Sequence, residues 1–579
     1  MFRRPPTRAA LSLAAAVVLL PLTAQAQTAP SPAGAGASAE RESLEALRQT
    51  TLALIDALVQ SGTLSRDKAD ALLADARRRA QAVPAGTAAP AWGDAPRAAA
   101  AAAAADVAPV VRVPYVPQLV RDQIRNELRE EIVARARMER WGVPNATAEW
   151  TDRIAIEGDL RVRGQGDRQD AGNTTPEVFL SRSLSGTTRA PDLAAGNSVG
   201  LATANTLEDR DRLRLRARLA VNAKVADNVT AGLRLATGSA ADRVSTHQTL
   251  GQNFNRYAFL LDRAFIKFDA AEWASLSAGR IANPWFATDL VWSENLNFEG
   301  VAGSFKWPVA ANADWQPFAT LGYFPVRESA PPKRGRSISG VQVGVQWEAS
   351  ARTRLKLGAA QYLYSGFSGR VDPDYDIVSG AGRSYGQYEY EAGLRQRGNS
   401  LFLTNNAYEL AAGLTPDKAR WGLGMNFRPL VFTAAAEFSH FAPTVVGLSG
   451  EVVVNRAFNL YEAYSRSGVW FNDARRVGAG LRATVGAQSV RNTGDWQVSV
   501  GYRWLGSDAV PDAFVDSDLG GGGTNIQGYS LGLQYGLARD TGLGVRWLSA
   551  RTLSSPTVVY GSTDKYGLSI LQVDLNVRF

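Results

Sequence analysis

From Arg153 to the last residue, apolar and polar side chains alternate with a period of two. In the final stretch Leu571, Val573, Leu575, Val577 and Phe579 alternate with Gln572, Asp574, Asn576 and Arg578. Leu213, Leu215, Ala217 and Leu219 alternate with Arg212, Arg214, Arg216 and Arg218. A period of two sends successive side chains to opposite faces of a strand. The pattern predicts sixteen strands, at 153–164, 210–225, 228–238, 258–269, 274–282, 297–307, 315–324, 337–349, 353–364, 419–427, 430–441, 476–488, 494–505, 526–537, 541–551 and 568–579. Most run to about ten residues, the length that crosses a bilayer when tilted, whereas soluble strands have a mode of about five or six.

The links between these strands alternate in length. Seven are short, at 226–227, 270–273, 308–314, 350–352, 428–429, 489–493 and 538–540. Eight are longer, at 165–209, 239–257, 283–296, 325–336, 365–418, 442–475, 506–525 and 552–567. Such alternation puts all turns at one end of a closed sheet and all loops at the other, the asymmetry of outer-membrane barrels. An even strand count places both termini on the periplasmic side. Trp496 and Trp504 share a face eight residues apart, about 26 Å along a strand, which matches an apolar band between two aromatic girdles. Two core tryptophans of a soluble sheet would show the same spacing. The expected fold is an all-β transmembrane barrel of about 16 antiparallel strands with a small α-helical N-terminal segment.

Upstream of the alternation the period is helical. Residues 1–26 read as a signal peptide: Arg3, Arg4 and Arg8, an apolar run from Ala9 to Leu22, then Ala24-Gln25-Ala26. The run is shorter than the roughly 18–20 residues a membrane anchor needs. Residues 27–82 form a periplasmic helical segment, in which Leu44, Leu47, Leu54, Ile55 and Leu58 recur at helical spacing and Gly62 ends the first piece. An Ala/Pro-rich linker follows at 83–114. The charged helix at 115–145 carries one narrow seam, Val120, Ile124, Leu128, Ile132 and Ala136. It either forms a coiled coil with copies of itself or packs loosely on another element. The barrel is expected over 150–579.

Composition narrows the chemistry. The 579 residues include no cysteine, which excludes disulfides and thiol chemistry. There are two histidines, His247 and His440, and no nucleophile stands at a recognisable spacing from either. No catalytic residue and no cofactor is therefore expected. Asp516-Ser517-Asp518 followed by Gly520–Gly523 looks like a fragment of a calcium loop, but it lacks the spacing and the terminal Glu of an EF-hand, so no metal site is expected. The formal charge of +8 is a mild excess that does not imply nucleic acid.

The polar face of a sixteen-stranded barrel must line its interior, which is too wide for side chains to fill and holds water. The expected pore-lining residues are Arg161, Arg163, Arg212, Arg214, Arg216, Arg218, Arg234, Lys356, Arg503, Arg546 and Arg578. Glu157, Asp159, Glu348, Glu437 and Asp574 oppose them. Either the cations concentrate anions in the lumen, or they pair with the acids and stiffen the wall. Two loops are large enough to fold inward, 165–209 and 365–418. The second, dense in tyrosines and acids from Asp372 to Glu391, either constricts the pore or stays outside as a solvated loop.

Five segments carry a resemblance: VRVPYVPQLVRDQI at 111–124, DRAFIKF at 262–268, GRIANPWFATDLVW at 279–292, NFEGVAG at 297–303 and DSDLGGGGTNIQGYSLG at 516–532. In this order they resemble the putative porin family of large bacterial outer-membrane proteins, over about residues 110–579. The resemblance implies a barrel in the outer membrane and passive diffusion of small hydrophilic solutes, and it supplies no catalytic residue. Phe579 looks like the C-terminal assembly signal of such barrels, so the barrel-assembly machinery is an expected partner beside outer-membrane lipid, solute and copies of the same chain. The alternative is a structural barrel that tethers the envelope through its N-terminal helices.

Overall fold

The computed structural model describes residues 153–178, 187–188, 205–309, 313–329, 333–373, 386–413, 418–556 and 563–579. The signal peptide, the helical segment, the linker and the charged helix expected before residue 150 lie outside the described residues, as do Asp374, Tyr375, Asp376 and Tyr385 of the tyrosine-rich loop.

Sixteen long strands form one closed antiparallel sheet: β1 Ile154–Gln169, β2 Arg210–Ala226, β3 Val229–Ala236, β4 Leu260–Ala271, β5 Ala274–Ala282, β6 Asn297–Lys306, β7 Trp315–Arg327, β8 Arg336–Ser350, β9 Thr353–Ser365, β10 Pro429–Phe441, β11 Thr444–Asn455, β12 Val477–Gly486, β13 Trp496–Leu505, β14 Ile526–Ala538, β15 Thr541–Thr552 and β16 Gly567–Arg578. Each pairs with its sequence neighbours, and β1 closes the ring by pairing with both β2 and β16, with Arg161 opposite Arg216 on one side and Asn576 on the other. β3 is short, so the upper half of β2 takes the two-residue piece Gln248–Thr249 as its partner instead. Closure leaves no edge with unpaired N–H and C=O groups, which hydrocarbon would not tolerate.

The outward face is apolar. Leu213, Leu219, Val498, Val500, Leu531, Leu533, Leu571, Val573 and Leu575 are all exposed. Exposed aromatics gather at two levels. Trp273, Trp307, Trp315, Trp347, Trp496 and Phe579 stand beside the short turns, and Tyr323, Tyr502, Tyr529 and Trp547 nearer the long loops. Lipid tails cover such a band, and the interfacial headgroups suit the rings.

One expected strand is not in the wall, and one wall strand was not expected. The stretch 419–427 is not part of the wall. Only Trp421–Leu423 is extended there, and it joins a small sheet with Leu401–Leu403 and Thr187–Thr188. Its alternating Trp421, Leu423, Met425 and Phe427 are buried within the folded loop. The wall strand in this region is β11, inside the segment read as a loop at 442–475. Gly447 and Gly450 dilute its alternation and Val452, Val453 and Val454 interrupt it. The short link is accordingly 442–443 and not 428–429.

The inner face is not polar throughout. Trp285, Trp292, Phe298, Phe324, Tyr362, Tyr364, Phe367 and Phe514 form a buried cluster inside the barrel along β6–β9. Trp292 and Tyr362 lie 5.1 Å apart edge to face, and Phe298 and Phe324 4.7 Å apart. The cluster fills the long-loop end of the lumen on this side.

At the closing seam, Gly158 N donates to Phe579 O at 2.8 Å and Phe579 N to Gly158 O at 3.0 Å. The Phe579 ring lies over Gly158, where a Cβ would fall 2.3 Å from it. Gly158→Val should therefore displace the ring and lower stability by about 1–3 kcal/mol, the usual cost of overpacking. Gly164→Val, on the same face of β1 with open space around it, should cost far less. Heat-induced loss of the compact form on gels measures both. Equal thermal stability of the two variants would exclude a role for the ring at the seam.

Candidate functional site: a constriction inside the barrel

The link 283–296 joins neighbouring strands, yet it crosses the barrel. Asn283-Pro284 ends β5: Pro284 has no N–H for the ladder, and Asn283 Oδ1 accepts from Trp285 N at 3.0 Å. Trp285 and Trp292 then bury themselves in the aromatic cluster. Between them the segment is clamped to successive strands. Phe286 N donates to Gln342 Oε1 at 2.8 Å and Gln342 Nε2 donates back to Phe286 O at 2.7 Å, on β8. Thr288 Oγ1 donates to Glu451 Oε2 at 2.7 Å on β11, and Thr433 Oγ1 to Glu451 Oε1 at 2.8 Å. Asp289 pairs with Arg482 on β12 at 2.9 Å and with Arg503 on β13 at 3.1 Å. β13 stands halfway round the sheet from β5.

A second link, 506–525, enters from the opposite side. Asp516 pairs with Arg503 at 3.3 Å, and Asp518 with Arg546 at 3.2 Å and Arg163 at 3.5 Å. Burial alone would raise the Asp518 carboxyl, but Arg546 and Arg163 hold it well below the usual carboxylate range. The two acids that looked like a calcium-loop fragment are thus taken up by wall arginines. The glycines after them serve the backbone: Gly520 to Gly523 all have positive φ, and a Cβ on Gly523 would meet Arg397 O at 2.1 Å. Among the described residues, no three His, Asp or Glu side chains are grouped to hold a metal ion.

The long link after β9 caps this arrangement. Asn399 Nδ2 donates to Ser507 O at 2.6 Å and to Val510 O at 2.9 Å. Tyr390 Oη donates to Asp512 Oδ1 at 2.6 Å, and Gln396 N to Asp512 Oδ2 at 3.0 Å. Burial pushes the Asp512 carboxyl up to about 7 despite these bonds. Of the two loops expected to reach inward, 165–209 and 365–418, both contribute to the small sheet. The segments that reach the far wall are the shorter 283–296 and 506–525.

The basic residues expected to line the lumen fall into different environments. Arg163, 1% exposed, makes a bidentate pair with Asp574 at 2.6 and 2.9 Å. Arg161 Nε donates to Asn576 Oδ1 at 2.5 Å. Arg216 and Arg218 share Asp159 at 2.8 and 2.6 Å, Arg234 pairs with Asp262 at 2.5 Å, and Arg212 pairs with Asp167. Arg503 and Arg546 hold the inward links. Arg214 reaches Gln165 Oε1 at 3.1 Å and has no carboxylate within 4.0 Å among the described residues. Lys356 lies over the rings of Phe286 and Phe318, at 4.4 and 4.9 Å. Arg578 has no side-chain partner among the described residues and is exposed. Sequence reasoning missed Asp289, Gln342, Glu451, Arg482 and Arg263. The only local signal was the Asn283-Pro284 break followed by aromatics and one acid.

Two spaces result. A narrow one of about 330 Å³ lies between the inward links and the wall, lined by Asp289, Glu294, Asp516, Asp518 and Asp574 against Arg161, Arg163, Arg482, Arg546 and Arg578, so its charges balance. His247 borders it. Burial first, then the arginines nearby, drive its imidazole strongly toward the neutral form. The other space, toward the short turns, is wider at about 810 Å³ and is lined by seven arginines against four carboxylates. His440, near the end of β10, lies 3.0 Å from Thr353 Oγ1, and its other ring nitrogen has no partner among the described residues.

A family model described as putative porin matches residues 48–579. No curated protein matches the chain. Among solved structures, the chain is similar to OprB of Pseudomonas putida, with 11% identity over 74% of this chain and 96% of that one and a TM-score of 0.41. It is similar to the outer membrane channel DcaP of Acinetobacter baumannii, with 9% identity, 74% and 97% coverage and a TM-score of 0.37. A third is the anion-selective porin from Comamonas acidovorans, with 10% identity, 74% and 99% coverage and a TM-score of 0.36.

The cap carries a pH dependence. A carboxyl raised on folding is favoured in its protonated form. Its contribution is complete below the unfolded value of about 3.9 and is lost as pH rises through the folded value. For Asp512 that window ends near pH 7. Hydrogen exchange in the 390–400 and 507–519 backbone should therefore show greater opening at pH 8 than at pH 5 after correction for intrinsic rate, and Asp512→Asn should flatten the difference. A wild-type cap equally protected at both pH values would contradict this.

Proposed function

The chain belongs to the putative porin family, and from that premise we propose that its barrel is a water-filled channel for passive diffusion of small hydrophilic solutes, with anions favoured. The observation that carries the anion preference is the excess of arginine in the wider cavity, seven against four carboxylates, beside a balanced constriction. A positive vestibule raises the local concentration of anions ahead of the narrow passage. In this reading the long loops face outward and the short turns face the periplasm. Residues 27–145 follow a cleaved signal into the periplasm, and Phe579 is recognised by the assembly machinery. No catalytic step is assigned, because among the described residues neither histidine stands between a nucleophile and an acid.

One observation favours association of copies. Arg280 and Glu299 pair on the outward face, where β5 and β6 make the wall low at nine and ten residues. An outward arginine costs about 2–4 kcal/mol at mid-membrane and little near the interface. We infer that a second copy covers this stretch. Glu299→Arg, which sets two like charges side by side, should lower the oligomer fraction in mild detergent, measured by light scattering. An unchanged mass would remove the inference.

The selectivity is tested by reversal potentials in a salt gradient. Arg263 and Arg578 line the wider cavity and have no carboxylate within 4.0 Å among the described residues. Reversing both to glutamate should leave the barrel inserted and shift it toward cations. Arg163→Gln should instead leave Asp574 buried with only Arg161 at 3.7 Å, costing up to about 3–5 kcal/mol, with little change in selectivity. Retained anion preference in the double glutamate variant would defeat the reading.

A further inference from the structure

We propose that the inner wall between β6 and β9, beneath the 283–296 link, holds a binding subsite for aromatic monocarboxylates. The proposal rests on the channel reading only in that a solute must enter the lumen to reach it. A cavity of about 330 Å³ lies here, across the lumen from the arginine-rich wall. It differs from the narrow and wide spaces already described in one respect: no acidic residue lines it, although Lys306 and Lys356 both do.

The two lysines are uncompensated. Neither side chain has a hydrogen bond or an ion pair among the described residues. Lys356 rests on the faces of Phe286 and Phe318, whose rings meet edge to face 6.2 Å apart. Rings hold an ammonium in place without neutralising it. Its N–H donors thus remain available to a carboxylate, with the amides of Gln316 and Gln346 within the same cavity.

The rest of the lining selects the body of the anion. Trp285, Phe286 and Phe318 give the cavity an aromatic side, and a flat ring set against them buries apolar surface on both partners. Chloride or acetate meets the lysines equally well but leaves this side wet. The arginine wall lacks this combination: Arg163, Arg216, Arg218 and Arg234 are each already matched by an acid. That wall suits transit, and the lysine cavity suits residence.

The test uses the full-length protein in planar bilayers, with benzoate, acetate and benzamide as probes and potassium chloride conductance as the measure of an intact channel. Benzoate should interrupt the current in a concentration-dependent way, while acetate and benzamide at equal concentration do not. Lys306→Gln with Lys356→Gln should raise the half-blocking concentration of benzoate at least tenfold with conductance retained. Phe318→Ala, which keeps both charges, should weaken benzoate block as well. Arg578→Glu should alter selectivity and leave benzoate block intact. Equal block by acetate, or an unchanged half-blocking concentration in the lysine variant, overturns the proposal. Calorimetric titration of benzoate into the same detergent-solubilised proteins gives a second readout. A protein that binds benzoate but conducts nothing refutes the channel and keeps the subsite. A protein that conducts but neither binds nor is blocked refutes the subsite alone.

Discussion

The absence of water in hydrocarbon is the constraint on which the rest of this structure depends. Every backbone N–H and C=O at that depth needs a partner from the chain itself, so the sheet must close. The pairing of β1 with β16 and the bonds between Gly158 and Phe579 complete that closure. Once the sheet is closed, the strand period assigns faces without further choice. Leu213 and Leu219 turn to lipid, and Arg212, Arg214, Arg216 and Arg218 turn inward with the same necessity. The arginine row is the polar half of a strand that has to be apolar on its other side.

Confining that many guanidiniums inside a barrel creates a second requirement. A buried charge without a partner is costly. The neighbouring strands supply some acids, such as Asp159 for Arg216 and Arg218 and Asp574 for Arg163. The inward links supply the others, Asp289, Asp516 and Asp518. Arg503 touches both links, through Asp289 and Asp516, and so fixes the two constricting segments against one strand. Ion pairs of this kind contribute little net stability compared with apolar packing, but their geometry determines position. The aromatic cluster around Trp292 provides the packing, and the arginines set where the passage remains.

How much of this was legible in the sequence follows from what a strand period encodes. It encodes faces and lengths, and most wall strands and the strict alternation of turns and loops are read from it. It does not encode what a face touches. Trp421, Leu423, Met425 and Phe427 alternate as well as any wall strand does, but they pack inside a loop. Thr444–Asn455 alternates poorly, but its neighbours β10 and β12 hold it in the sheet. The constriction was less legible still. Gln342 looks like any polar residue on an inner face, and only the folded chain brings it to Phe286. Large size suggested which loops would turn inward, but composition governed the outcome: a short link with two tryptophans to bury and one acid to pair crosses the lumen.

The distribution of charge along the lumen then has a consequence for transit. A solute anion gains from a positive potential wherever it stands, but a deep minimum at the narrowest point would hold it there. Here the narrow space has equal numbers of acids and bases, while the excess of arginine lies in the wide space beside it. At physiological ionic strength a charge is felt over roughly 8–10 Å, so in the proposed anion-favouring channel the wide space would concentrate anions close to the constriction without binding them within it. Asp289 and Glu294 on the crossing link face wall arginines over that same short span. The passage is therefore neutral in total, with the acids of both links and Asp574 set against wall arginines across its width.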